Sequence, residues 1–290
     1  MRLKTFTLAA AIIVVAAFTP FRAAAQNPET MMPDESAAKA KQILQQLIDT
    51  LGGPAYLQVR ESLCEGRLAQ FGHAGDVTGY VHFNDSWRYP DKNRTEYIFK
   101  GNKRALAVLT GDVPVKGGVV IELFAGDQGW SLDAGGVTEQ PASAIADFQE
   151  QVKKDTDNLL RLRLKEDGMI FRYAGSDIVD LKPVDWVEIV DADHRTFRLA
   201  IGRSSHLLVR NVVVTRNDTT RERTEEVTLF SNYHPMDGVL TPLQISRERD
   251  GRAIFQVFYA SCKYNPGFAD DLFTKAGLDK HFSEIAKKKK

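Results

Sequence analysis

Apolar side chains recur with a helical period near the start of the chain and with a strand period over most of the rest. From about Glu35 to Leu51 the apolar positions fall three and four residues apart, which predicts one amphipathic helix. Asp34 is expected to cap the start of this helix. Gly52-Gly53-Pro54 is expected to end it, because glycine takes the left-handed conformation there and proline cannot continue a helix. The apolar stripe consists of Ile43, Leu44, Leu47, Ile48 and Leu51.

The period then changes to two, in short runs of β-branched and aromatic residues that are separated by Gly, Asp, Asn and Pro. In residues 77–83, for example, Val81 and Phe83 alternate with Tyr80 and His82. Alternation of this kind is typical of antiparallel sheets, which bury one face and leave the other in water. The predicted strands lie at about 63–71, 77–84, 94–100, 104–110, 118–124, 128–132, 169–174, 184–190, 195–201, 207–215, 224–233, 239–248 and 252–264.

A second amphipathic helix is predicted at about 142–164, between the two groups of strands. Its apolar side consists of Ile145, Phe148, Val152, Leu159 and Leu160. A single twisted sheet of about eleven to thirteen strands tends to curl. Two helices are too few for the layers of an α/β fold, but they are enough to cover the concave side of such a sheet. The sequence therefore predicts a mainly β (α+β) fold, an incomplete curled antiparallel β-barrel with helices over its concave face.

The first 25 residues have the layout of a secretory signal peptide. Arg2 and Lys4 precede an apolar run over residues 8–18, and small residues end the segment at Ala25, where cleavage is expected. A membrane anchor is the alternative, but the run is shorter than the roughly 20 apolar residues that a helix needs to cross a bilayer. We therefore predict an exported, periplasmic protein that does not span the membrane.

Composition and net charge indicate how the chain is divided into domains and which classes of partner are disfavoured. We predict a signal peptide (1–25), a flexible leader (26–35), a single domain (36–280) and a basic tail (281–290). Removal of the signal peptide, which holds three cations and no carboxylate, leaves 35 cations against 38 carboxylates, a net charge of −3. This balance gives no electrostatic case for a nucleic-acid partner. The four lysines at 287–290 are interpreted as a solvated end rather than a docking patch.

Two cysteines, Cys64 and Cys262, lie in strand-like runs near the beginning and the end of the predicted sheet. An oxidising compartment permits a disulfide between them. Such a bond closes a loop that spans nearly the whole domain, for which the chain-entropy model gives on the order of 4–5 kcal/mol. Two buried free thiols remain the alternative, because the sequence does not show that the two backbones approach each other.

No residue pattern in the chain favours catalysis. Asp191, Asp193 and His194 could hold a metal ion, but a hairpin turn explains these turn-forming residues better. The Ser-Ser-His sequence at 204–206 lacks the flanking glycines of a hydrolase nucleophile elbow and is also interpreted as a turn. The six histidines form no paired zinc motif. We predict no catalytic residues, no metal, no cofactor and no enzyme activity.

Six short motifs together give the chain a family resemblance. Each is a generic turn or hairpin alone, and their order covers most of residues 36–274. They are LIDTLGGP (47–54), RYPDKNRTEYIF (88–99), FAGDQGWSL (124–132), IVDADHRTFRLAI (189–201), HPMDGVLTP (234–242) and YNPGFADDLF (264–273). In this order they resemble the outer-membrane lipoprotein-sorting (LolA-like) family of periplasmic proteins. The chain departs from the simplest members by a longer segment between residues 133 and 195.

The resemblance implies a half-barrel whose cavity, between sheet and helices, takes acyl chains or other hydrophobic ligands. Five aromatic residues on apolar strand faces are candidates to line it, although each could instead be ordinary core: Phe83, Trp130, Trp186, Phe197 and Phe255. The first functional hypothesis is a monomeric periplasmic carrier or chaperone for lipoproteins or lipids. The alternative is a sensor or scaffold of the same fold, similar to the RseB-like regulators, that acts through an envelope protein partner.

Overall fold

The computed structural model of the protein describes residues 30–71, 75–105, 115–216 and 220–288. The predicted signal peptide and the start of the leader lie outside these residues, as do the last two lysines. In the described part of the chain, no helix is both long enough and apolar enough to cross a bilayer.

Thirteen antiparallel strands form one sheet in the order β6-β5-β4-β3-β2-β1-β13-β12-β11-β10-β9-β8-β7. Two up-and-down meanders, β1 to β6 and β7 to β13, therefore meet where β1 pairs with β13. Because β6 and β7 are the two edges of the described sheet, the barrel is not closed, as predicted. The strands are β1 Glu61–Phe71, β2 Val77–Arg88, β3 Lys92–Ala105, β4 Val115–Ala125, β5 Gln128–Asp133, β6 Gly136–Glu139, β7 Ile170–Val179, β8 Lys182–Val190, β9 Thr196–Gly202, β10 Leu208–Arg216, β11 Arg223–Met236, β12 Val239–Arg249 and β13 Arg252–Tyr264.

The strand count agrees with the prediction, but two strands differ from it. The separate strands expected at 94–100 and 104–110 belong to the single strand β3, which continues to Ala105, and residues 106–110 lie outside the described part. Strand β6 was not predicted, because its four residues are too few to show an alternating pattern. The strands predicted at 239–248 and 252–264 are joined by an Asp-Gly hairpin turn, with Asp250 and Gly251 both at positive φ.

Helix α1 (Pro33–Leu51) packs across β7, β8 and β12. The prediction that Asp34 caps it was wrong: Met32 occupies the cap position without a side-chain bond, and Asp34 lies in the first turn. The predicted end is correct, at Gly52 with φ 130°. A side chain at Gly52 would place its Cβ 2.5 Å from the carbonyl oxygen of Gly238, so only glycine fits there. The one-turn helix α2 (Pro54–Leu57) follows.

The helix predicted at 142–164 is broken in two. Helix α3 (Ala142–Lys154) ends where Asp155 takes an extended backbone, and α4 (Thr156–Arg161) begins there. The Asp155 carboxylate accepts a hydrogen bond from the backbone N–H of Asn158 at 2.8 Å, which caps α4. The helical period continued through the break, so the period alone could not locate it.

We call the sheet face under α1 the inner face and the opposite one the outer face. On the inner face the stripe of α1 meets apolar residues of β8 and β9, including Ile189, Phe197 and Leu199. Helix α3 also lies on this face, where Phe148 stacks on Phe124 with ring centroids 4.7 Å apart. Most helical packing is therefore on the concave side, as predicted.

A helix that the sequence analysis did not predict, α5 (Lys275–Lys288), covers part of the outer face. Its Leu278 and Phe282 pack with Ile121, Leu123 and other residues of β4 to β6. Only a few apolar residues interrupt its charged sequence, which hid its amphipathic pattern. Residues 281–288 of the predicted tail belong to this helix, whereas the division into domains itself stays a prediction.

A disulfide joins Cys64 of β1 to Cys262 of β13, with Cα atoms 4.1 Å apart. The two residues are directly opposite each other in the strand pair, which brings together positions 198 residues apart in sequence. Of the two alternatives that the sequence left open, the bridge is therefore the one that the structure contains. The disulfide therefore links the two meanders at the strand pair that joins them.

Candidate ligand site on the inner face of the sheet

The five candidate aromatic residues do not line one common space. They belong to four separate apolar clusters, and Phe83 and Phe255 are the pair that shares one. Phe197 is fully buried beneath α1 in the main core. Trp186 lies on the outer face with Val184 and Ala200. Their role in binding a ligand stays a prediction.

Trp130 also lies on the outer face, where it packs with the cluster that α5 covers. It is directly opposite Leu123, whereas the inner-facing Phe124 is opposite Gly129. No side chain fits at Gly129, because a Cβ there would lie 2.9 Å from the Phe124 ring. Period-two alternation could not distinguish these faces, because both faces of this sheet carry apolar residues.

Phe83 and Phe255 belong to a cluster on the inner face that we call the inner patch. Its members come from β1, β2, β3, β4, β12 and β13, and within the described residues none comes from a helix. Ile245 of this patch is directly opposite Phe230, which packs on the core under α1, so both clusters lie on one face. The buried members are Leu68, Val81, Phe83, Tyr97 and Val257, and the partly exposed members are Phe99, Val120, Ile245, Phe255 and Tyr259.

A row of directly paired side chains runs through the inner patch across four strands. Ile245 of β12 is opposite Val257 of β13, Val257 is opposite Leu68 of β1, and Leu68 is opposite Val81 of β2. Three steps of about 4.8 Å between neighbouring strands make this row roughly 14 Å long. Because Val257, Leu68 and Val81 are at most 3% exposed, the row forms the floor of an apolar track. The accessible surface of this track belongs to the partly exposed members of the patch, such as Ile245 and Phe255.

Arg247 lies at one end of the inner patch. It is directly opposite Phe255, and its guanidinium lies 5.9 Å from the centre of that ring. Its Nε donates a hydrogen bond to Thr228 Oγ1 at 3.3 Å. Burial lowers the pKa of Arg247, although the nearby carboxylates of Glu226 and Asp155 oppose this effect. The half-buried guanidinium has no carboxylate within 4.0 Å among the residues that the structure describes.

Two carboxylates of the patch region are themselves buried. Burial, together with the negative charge of Asp157, raises the pKa of Asp155 to about 6. Burial also raises the pKa of Glu122 to about 7, although Tyr97 Oη donates a hydrogen bond to its Oε2 at 3.3 Å. Neither has an ion-pair partner in the described ranges.

Tyr259 of the inner patch is held by a buried carboxylate, since its hydroxyl donates to Asp85 Oδ2 at 3.4 Å. Asp85 also accepts from Asn93, Thr95 and Trp87 at 2.8, 3.2 and 3.1 Å. Burial raises the pKa of Asp85, and these four donors act in the opposite direction. The donors compensate part of the cost of a charge in the sheet and fix the Tyr259 ring in the patch.

A second buried arginine, Arg161, lies on the inner face where helices cover the sheet. The Arg161 guanidinium lies between two rings, 4.4 Å from the centre of Tyr56 and 4.8 Å from that of Tyr89. Its Nη2 is 3.3 Å from Asp157 Oδ2, and Tyr56 Oη donates to Asp157 Oδ1 at 2.7 Å. The rings and the carboxylate stabilise the buried cation and fix α2 and α4 on the sheet.

The candidate metal residues form a turn with ion pairs. Asp191 Oδ2 lies 2.9 Å from Arg163 Nη2 and 3.2 Å from Arg195 Nη1, and the His194 N–H donates to the Asp191 carbonyl. Asp193 pairs with Arg195 Nη1 at 2.6 Å. The described residues contain no group of three or more side chains suited to a metal ion.

The surface beside this turn contains a half-open cavity of about 460 Å³. It is polar, and its walls include Glu150, Lys153, Asp193, Arg195 and Arg216. Four of these residues already form ion pairs among themselves. Arg195 Nη2 lies 2.9 Å from Glu150 Oε1 and Arg195 Nη1 contacts Asp193, and Lys153 Nζ lies 3.6 Å from Glu150 Oε1 and 3.4 Å from Asp193 Oδ2. This polar cavity does not suit an apolar ligand. The 204–206 segment is also a turn, as predicted.

The sequence matches no known family model, and no curated protein is similar to it. Among solved structures, a DUF1329 family protein from Desulfovibrio piger is similar over 82% of this chain and 98% of its own, with 16% identity and a TM-score of 0.53. A domain described as an outer membrane lipoprotein-sorting protein, from Vibrio parahaemolyticus, covers 84% of this chain and 99% of its own, with 10% identity and a TM-score of 0.51.

At such low identities this likeness is one of fold. The protein has the LolA-like fold, that of the outer membrane lipoprotein-sorting proteins, as the order of motifs predicted. Nearly the full length of both neighbours is matched, so the resemblance concerns the whole half-barrel.

Proposed function

We propose that the protein binds hydrophobic ligands in the cell envelope, as a carrier or chaperone for lipids or lipoproteins. The inner patch is the observation that carries the proposal. It is an apolar track about 14 Å long by strand spacing, on the concave face, with no helical residue among its described members. An acyl chain that displaces water from it gains about 0.8 kcal/mol for each buried methylene.

The fold and the ionised groups of the site support binding rather than catalysis. A likeness to an outer membrane lipoprotein-sorting domain makes an acylated ligand a reasonable choice. The cluster of charges around Asp191 connects the turn after β8 to α3 and to the segment after α4, so these side chains are engaged in ion pairs. We propose that the protein acts without covalent chemistry, as a monomer.

The first 25 residues support a proposal about the compartment in which the mature protein is located. A cleaved signal peptide would place the mature protein in the periplasm, with Gln26 as its first residue. Mass spectrometry of the protein from a periplasmic extract tests this assignment. An intact Met1 in a membrane fraction would contradict it.

Native mass spectrometry of the protein purified from its own envelope compartment tests the binding function. We expect a bound lipid or acylated peptide that organic extraction removes. A Phe255→Ser variant purified in parallel is expected to carry much less of it. If the wild-type protein is empty and takes up no added lipid or lipopeptide, the carrier proposal is wrong.

One observation favours the alternative, a sensor or scaffold that acts through a protein partner. Leu181, in the turn after the edge strand β7, is 96% exposed at φ 63°, and Ile178 beside it is 68% exposed. An apolar edge strand can pair with a strand of another protein. Cross-linking in the envelope tests this role. A partner captured by the wild-type protein and lost from a Leu181→Asp variant would support it.

A further inference from the structure

Arg247 is a cation without a carboxylate at ion-pair distance among the residues that the structure describes. Its Nε is held by Thr228, and the guanidinium lies beside the Phe255 ring at the end of the inner patch. Within the described ranges no carboxylate comes within 4.0 Å of it. A half-buried cation without a counter-ion costs free energy unless an anion reaches it.

The neighbouring carboxylates do not supply that anion. Glu226 Oε1 is already 3.0 Å from Lys154 Nζ and 3.3 Å from Arg249 Nη2. Asp155 faces the same region and caps α4 through its Oδ1. Three cations therefore surround two carboxylates here, which leaves about one positive charge beside the patch. The buried Arg161 has its own carboxylate, Asp157.

We infer that the inner patch binds an amphiphile whose anionic oxyacid head, a carboxylate or a phosphate, pairs with Arg247. Its acyl chain lies over the row from Ile245 to Val81, against the partly exposed side chains of the patch. The planar guanidinium matches both oxyacids in a two-bond geometry. A cation at one end of an apolar track matches a ligand that has a single apolar chain and one charged end. The inference rests on the proposed hydrophobic-ligand function and specifies the ligand class.

Titration of the full-length mature protein with matched fluorescent ligands tests the inference. The probes are a long-chain fatty acid with a fluorophore at the tail, its methyl ester, and the corresponding alkyl phosphate. We expect each anionic probe to bind at least tenfold more tightly than the ester. Tighter binding of one anion than the other identifies the preferred head. Equal affinity for all three probes overturns the inference and leaves hydrophobic binding intact. Failure of all three to bind contradicts the proposed function as well.

Substitution of Arg247 locates the head group. In Arg247→Gln, affinity for the preferred anion is expected to fall tenfold or more, while affinity for the ester changes less than twofold. Arg198→Gln is the matched control, because Arg198 carries the same charge on the outer face over Trp186. It should leave all affinities unchanged. An equal loss for acid and ester in Arg247→Gln would overturn the assignment. If that variant does not fold, the comparison of acid with ester in the wild-type protein still decides.

Discussion

Trp186 and Phe197 lie on neighbouring strands, β8 and β9, yet their side chains occupy opposite faces of the sheet. Trp186 is directly opposite Ala200, with which it packs on the outer face. Phe197 is directly opposite Ile189 in the core under α1. Aromatic residues on apolar strand positions therefore do not define one cavity in this fold, and a binding test must separate the two faces.

Two phenylalanines of β13 allow ligand binding to be tested separately on the two faces of the sheet. Phe255 belongs to the inner patch, whereas Phe258 is on the outer face, 6.0 Å from the ring of Tyr80. We expect Phe255→Ser to weaken binding of a hydrophobic fluorescent dye at least fivefold, because it removes apolar area from the track. Phe258→Ser is expected to change it less than twofold. Equal effects of the two substitutions would show that the dye does not bind the inner patch.

The buried carboxylate of Asp191 is expected to be important for stability. It contacts Arg163 and Arg195, so Asp191→Asn leaves two buried guanidinium groups with a weaker partner. We expect the free energy of unfolding to fall by about 3 kcal/mol in urea denaturation. The control is Asp193→Asn, whose side chain is 57% exposed, and a loss below about 1 kcal/mol is expected for it. Similar losses for both variants would contradict the role of burial.

Glu122 gives the protein a predictable dependence of stability on pH. Its pKa in the folded protein is about 7, above the unfolded value of 4.5. The stability that it contributes is therefore fully present below pH 4.5 and is lost as the pH rises through 7.

Glu122→Gln is expected to remove that loss, because a neutral amide can still accept the hydrogen bond from Tyr97. At pH 8 the variant should exceed the wild-type protein in unfolding free energy by at most about 3 kcal/mol, and the difference should shrink toward pH 5. Thermal and urea denaturation across this range measure it, with the exposed Glu139→Gln as control. A difference independent of pH would contradict the raised pKa.

The disulfide is expected to contribute strongly to stability. Its ends are 198 residues apart, and the chain-entropy model gives on the order of 5 kcal/mol for a loop of this length. Reduction should lower the denaturation midpoint of the wild-type protein, and a Cys64→Ser/Cys262→Ser variant should match the reduced protein in either condition. A wild-type midpoint that reductant leaves unchanged would contradict this expectation.

Much of the fold could be predicted because the local signals agree with it. Gly52-Gly53-Pro54 ends α1 and Asp250-Gly251 turns β12 into β13, since these sequences leave few backbone alternatives. The break at Asp155 could not be seen, because the apolar period continues on both sides of it. Helix α5 was missed because it buries only a narrow stripe.

The candidate site was harder to predict than the fold. The faces of Trp130 and Trp186 depend on which side of each strand the helices cover, and α5 was absent from the prediction. Arg247 gave no signal, because an arginine in a polar run of a strand looks like any solvated cation. Its position beside Phe255 depends on the register of β12 with β13, which the sequence does not show.

The pairing of β1 with β13 has a consequence for the order of assembly. Every other pair in the sheet joins strands that are neighbours in sequence, so each meander can form from local hairpins soon after its residues emerge. The pairing of β1 with β13 must wait until Tyr264 has emerged, and loop closure makes it the slowest contact to find. We expect oxidation and completion of the sheet to coincide, so that a chain arrested before Cys262 holds an open sheet without the disulfide. The two halves of the inner patch, one in each meander, then meet only when β1 pairs with β13.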